Sequence, residues 1–114
     1  MKIAVLVLII LLSLSIGCIE YKPLTDDLKE YAGVWASSDG QYLTIHEDGS
    51  GSYDGYSGIA SLKVSGGQVV IADGNLSIEF VGIGKKFRID KSPYDDTGKT
   101  KMILDGVNFV KGSN

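Results

Sequence analysis

Cysteine and histidine occur once each in this chain of 114 residues, tryptophan once and proline twice. A single histidine makes any Ser-His-Asp or Cys-His nucleophile system depend on His46. Metal sites of the His/Cys type are excluded by count. One cysteine forms no disulfide within the chain, so the fold has to be held by its apolar core alone. There is no G-x-S-x-G run and no spaced D-x-D-x-D-G calcium loop. Excess of one charge is missing too. The 11 basic and 14 acidic residues are interspersed and give a net charge of −3. That balance argues for solubility and against nucleic acid or an anionic membrane surface as partner. Glycine, by contrast, is plentiful at 15 residues, which with few prolines and no low-complexity block suggests many tight turns.

Long apolar runs are confined to one place. Met1-Lys2 is followed by Ile3 to Leu12 without a polar break, then by Ser13-Leu14-Ser15-Ile16-Gly17-Cys18. A short positive start, about ten apolar residues and small residues at the end form a secretory signal, too short to span a bilayer. An ordinary signal with Cys18 as an incidental thiol, and an uncleaved apolar anchor, are the other readings. The stretch Leu14-Ser15-Ile16-Gly17-Cys18 resembles the prokaryotic lipoprotein signal, with Ser15 standing where Leu is commoner. The resemblance implies cleavage before Cys18 and diacylglycerol on its thiol. Residues 1–17 are then the signal peptide, 18–23 a lipid-anchored tether and 24–114 one β domain with a short N-terminal helix. Ile19 follows the cysteine instead of the Asp associated with inner-membrane retention, which by family analogy favours the outer membrane where the host has one, and otherwise the cell membrane. Either way the domain faces the extracytoplasmic side. Two or more acyl chains anchor stably where one does not.

Thr25 is placed to cap a two-turn helix, with Asp26 and Asp27 at its N-terminus, Leu28 and Tyr31 on one face and Gly33 as its stop. From Val34 on, apolar stretches are short, alternating and bounded by glycine-containing turns, the pattern of antiparallel strands. Two-residue turns at Gly66-Gly67, Asp73-Gly74 and Asp105-Gly106 would set Val64 against Val69, Ile71 against Leu76, Val69 against Ile78, Leu104 against Val107 and Met102 against Phe109. Leu43, Ile45, Phe87 and Ile89 join that apolar face. A turn over Glu47 to Ser50 brings Tyr53 inward beside Ile45. Ser61, Lys63, Ser65, Ser77, Glu79, Lys86, Arg88, Asp90 and Lys101 fall on the opposite, solvated face. The expected fold is all-β: a small antiparallel up-and-down barrel or closed sandwich of about seven or eight strands behind a short helix.

Tyr31-Ala32-Gly33-Val34-Trp35 puts Gly-x-Trp after a helical turn and at the start of the first strand. It resembles the opening signature of lipocalin-like (calycin) barrels, in which the Trp plugs one end. The chain is shorter than a typical lipocalin, and its inward positions are large enough to fill a small interior, so a packed barrel without a ligand cavity is expected.

Candidate sites are few. Tyr42, Tyr53 and Tyr56 surround the glycine- and serine-rich stretch 49–58, whose composition suits a partner surface of rigid aromatics and adaptable polar groups; Tyr94 in the stretch 92–99, expected as the longest loop, extends it. The competing reading is a twisted edge strand with Tyr53 in the core and Tyr56 over an end. Asp95 and Asp96 are the best acidic pair for a hard cation, though turn chemistry accounts for the Asp-Gly pairs without any ligand. Asn75-Leu76-Ser77 fits a glycosylation sequon just after a turn. No cofactor is expected, and no enzyme, since one histidine leaves few routes to chemistry. The expectation is a monomeric, lipid-anchored, non-enzymatic binding or envelope-structural module. The alternatives are an inhibitor of a secreted lysozyme or protease, and a lipocalin-type carrier of a small ligand.

Overall fold

The structure is a computed structural model and describes residues 20–112. The signal segment and Cys18 lie outside those residues. A 3-10 helix, Asp26–Tyr31, precedes eight strands: β1 Gly33–Ser37, β2 Tyr42–Ile45, β3 Ser50–Ser57, β4 Ala60–Ala72, β5 Asn75–Phe80, β6 Ile83–Asp96, β7 Lys99–Leu104 and β8 Val107–Lys111. Each strand pairs antiparallel with the next, and β8 returns to β1 to close the barrel. Closure pairs every strand with two neighbours, so the stretch expected to contain an edge strand is β3, paired on both sides over residues 51–54 and with β4 alone over residues 55–57.

Two of the three expected turns form as written. Asp73-Gly74 and Asp105-Gly106 each have both residues at positive φ, the geometry of the hairpin turn that Asp-Gly favours, and they set Ile71 against Leu76, Val69 against Ile78, Leu104 against Val107 and Met102 against Phe109. Gly66-Gly67 does not turn. There β4 runs on, and Val64 pairs with Tyr53 while Gly67 pairs with Gly51, so one extra residue is accommodated as a bulge with Gly66 at φ +66°. A glycine pair supports either outcome locally. The continuous pairing of β4 with β3 over Ala60–Gln68 decides it.

The alternation of burial follows the expected inward set. Leu43, Ile45, Leu76, Ile78, Met102, Leu104 and Phe109 are at most 1% exposed. Tyr53 lies inward opposite Leu43, not Ile45. Tyr53, Phe87 and Phe109 form a column of edge-to-face rings, with centroid spacings of 5.4 and 6.0 Å. On the outer face Ser77 departs from the solvated set. It is buried because it sits in register between Val70 and Lys86, whose longer side chains cover a small one.

The lower end carries the turns β2–β3, β4–β5 and β6–β7 and is closed by the helix. Trp35 is fully buried and its indole Nε1 donates to Tyr31 O at 2.9 Å. Lys111 lies over the Trp35 ring at 5.0 Å and donates to Glu30 O at 2.9 Å, tying strand β8 to the helix. Gly33 is not the helix stop but the first strand residue: at φ +143° its missing Cβ would sit 3.1 Å from the Lys111 methylenes. Ala32 ends the helix, and the Thr25 hydroxyl bonds the Asp27 carboxylate without capping a backbone N–H. Of the Gly-x-Trp positions the tryptophan plugs the barrel as expected, while the glycine, in place of stopping the helix, lets the chain pass under Lys111.

Candidate functional site

The upper end is built differently. The β1–β2 and β7–β8 turns are low, while the β3–β4 and β5–β6 hairpins run on: Ala60 to Val64 pair with β3 alone, and Ile83 to Phe87 pair with β5 alone. Two hairpins therefore stand above the mouth of the barrel. Between them and the short turns is an open concavity of about 280 Å³, lined by Asp39, Gln41, Tyr56, Gly58, Lys85, Phe87, Leu104, Asp105 and Val107.

A hydrogen-bond network crosses this mouth. The Tyr53 hydroxyl donates to Gln41 Oε1 at 2.7 Å and accepts from the Tyr56 backbone N–H at 2.9 Å. Gln41 Nε2 donates to both Asp39 oxygens, at 3.2 and 3.0 Å, and the Ser37 hydroxyl bonds the same carboxylate. These bonds, Ser37 first and Gln41 second, hold the Asp39 carboxyl below the usual carboxylate range. Lys85 Nζ donates to Tyr56 O at 2.9 Å, bridging the two hairpins, and stands 5.5 and 5.3 Å from the Tyr53 and Phe87 ring centroids. The inward column of aromatic rings thus ends under a cation. Burial raises the Tyr53 pKa, so the hydroxyl keeps the proton that it donates to Gln41. The mouth offers a carboxylate, an ammonium, an amide and a phenol for recognising polar groups. It assembles no nucleophile with a base.

Of the residues expected to form a partner surface, Tyr42 and Tyr56 are exposed and share the outer face of β2 and β3, flanking Asp54. Tyr53 does not belong to that surface: it is 1% exposed and serves as the core support of the mouth. Tyr94 is at the other end. It pairs with Lys101 on β7, and Lys91 Nζ lies 3.9 Å over its ring. The expected loop 92–99 is strand except for the turn at Thr97-Gly98. Strand pairing spreads the acidic pair: Asp95 accepts from Thr100 and Asp96 pairs with Lys101 Nζ at 2.8 Å, which lowers the Asp96 pKa. Among the described residues no three His, Cys, Asp or Glu side chains gather as a metal site. His46 is exposed at the lower β2–β3 turn, far along the strand from the mouth. Gln41 and Lys85 were not among the expected site residues. Lys85 carried a signal, because it occupies the inward parity of β6 two residues before Phe87, where an apolar side chain was due.

No family model, no curated protein and no solved structure matches this chain. The closed eight-strand antiparallel barrel is consistent with a lipocalin-like fold.

Proposed function

We propose that this protein is a lipid-anchored, extracytoplasmic, non-enzymatic binding module that recognises its partner at the upper rim of the barrel. The observation that carries the reading is the contrast between a filled interior and a rim where polar and apolar groups are left uncovered. Trp35, Tyr53, Phe87 and Phe109 occupy the inside, so a ligand carried within the barrel has little support. The rim, in contrast, combines the mouth network with exposed Tyr56 and Ile59 and with Lys85. Acylation of Cys18 explains why a lone cysteine follows a fitting signal, and it removes a thiol that an oxidising compartment would attack. The anchor is tested by intact-mass spectrometry of the membrane-extracted protein. A mass beginning at Cys18 plus a diacylglyceryl group is expected, and an unmodified chain would overturn it.

The two hairpins above the mouth also favour a second reading, an inhibitor that presents an ordered protrusion to a secreted hydrolase. Titrating lysozymes and secreted proteases with the protein tests it. Loss of hydrolase activity that Lys85→Ala abolishes would establish that reading.

A further inference from the structure

The tips of the two tall hairpins are apolar where tip residues are ordinarily polar. Ile59 in the β3–β4 turn is fully exposed, and in the β5–β6 turn Val81 is 84% exposed between Phe80 and Ile83, themselves well exposed. Val81 is also strained. It has φ +47° beside Gly82 at +78°, a turn that asks for Asn, Asp or Gly and disfavours a β-branched side chain. An exposed, strained valine is unfavourable in water, so its presence points to a surface that water does not cover.

The chain before the barrel leads to the same place. Leu24 N–H bonds Glu47 O at the lower end, Lys22 is clamped by the Gln68 side chain through its N–H at 2.8 Å and its carbonyl at 3.1 Å, and the Tyr21 hydroxyl bonds Gly66 O at 2.7 Å. The approach is close enough that a Cβ on Gly49 would lie 1.8 Å from Lys22 O. Followed backwards, the strap climbs along β4, from Glu47 at the lower end past Gln68 to Gly66, in the direction of the hairpin tips. Cys18 is three residues upstream of Tyr21, within about 10 Å of it by chain length. Charge is arranged in keeping with this. On segments 55–66 and 79–86 the charged residues are Lys63, Lys85 and Lys86 with Glu79 as the one carboxylate, although the whole chain is at −3.

We propose that the upper rim is seated on the lipid bilayer that holds the anchor, with Ile59 and Val81 among the headgroups and Lys63 and Lys86 beside lipid phosphates. This rests on the reading of Cys18 as the anchor and names the partner of the rim as the membrane itself. The clamped strap then does more than tether: it sets the orientation of the barrel, mouth down.

The test uses the full lipidated chain in vesicles of phosphatidylethanolamine and phosphatidylglycerol. Ile59→Cys, Val81→Cys and, at the opposite end, Glu47→Cys each receive a nitroxide label, with the unsubstituted chain as control. Docking predicts that labels at 59 and 81 collide several-fold less with an aqueous nickel chelate, and more with oxygen, than the label at 47. Equal aqueous accessibility at all three sites, with an unlabelled control, would overturn the docking while leaving the anchor intact. Spin–spin broadening at 81 would overturn it in favour of a second copy of the chain. Label taken up by the control chain would show a free Cys18 thiol and overturn the anchor with it. Val81→Asn, which suits the turn, gives an independent reading: docking predicts that it leaves the fold intact while raising the nickel accessibility of a label at 59.

Discussion

The two ends of this barrel are made from the same strands and differ in what finishes them. At the lower end the helix, Trp35 and Lys111 cover the core, and each polar group that meets them has a backbone partner. At the upper end Lys85 stands over the Tyr53 and Phe87 rings, and the polar groups bond one another across an open mouth. A small barrel has enough apolar volume to seal one end with a plug, and the polar groups at the other end stay open. The difference teaches that the candidate site lies where packing stops, rather than where unusual residues cluster in sequence.

Four changes sharpen or break that contrast. The largest effect belongs to the plug: Trp35→Ala should destabilise by about 3–5 kcal/mol in chemical denaturation, because it leaves a cavity and frees Lys111 from its ring. A loss below about 1 kcal/mol would mean that the lower end is not sealed by the indole. At the mouth, Tyr53→Phe keeps the ring but strips Gln41 Oε1 of its donor and the Tyr56 N–H of its acceptor. About 1–3 kcal/mol should be lost, and hydrogen exchange at Tyr56 should quicken while the exchange near Trp35 stays the same. Third, Val81→Asn should raise stability, by about 1 kcal/mol, since it relieves a left-handed β-branched residue; a lower unfolding midpoint would show that Val81 packs against the barrel instead of facing outward.

The smallest effect is in acid. Asp39 at the mouth and Asp96 near the lower end both have lowered carboxyl pKa values, through the Ser37 hydroxyl and the Lys101 ammonium respectively. A carboxylate whose folded pKa is depressed contributes stability that is full above its unfolded value, about 3.9, and is lost as pH falls through the folded one. The unfolding midpoint should therefore hold from neutral pH to about 5 and decline below about 4. Asp39→Asn and Asp96→Asn should each flatten that decline slightly, both groups being exposed. A midpoint rising on acidification would contradict the assigned partners.

Much of this was legible beforehand for a definite reason. Period-two alternation and Asp-Gly turns are local signals, and together they gave the inward face from Leu43 to Phe109 and two hairpin registers. Gly66-Gly67 misled because two glycines permit a bulge as readily as a turn, and the choice is made by β3, which lies more than ten residues away. The tyrosines divide in a similar way. Strand parity buries Tyr53, as its inward reading expects, whereas the length of β6 carries Tyr94 to the far end from Tyr42 and Tyr56.

By itself, then, the amino-acid order determined an all-β chain with a plugging tryptophan, a polar exterior and a lone cysteine behind an apolar run, since each depends on neighbours a few residues apart. Only the tertiary structure decided that the sheet closes, that β4 passes through its glycine pair, that Gln41 and Lys85 meet over Tyr53, and that the strap of Tyr21 and Lys22 lies along β4. Those outcomes join residues separated by tens of positions, where pairing across strands, and not local propensity, supplies the free energy that chooses.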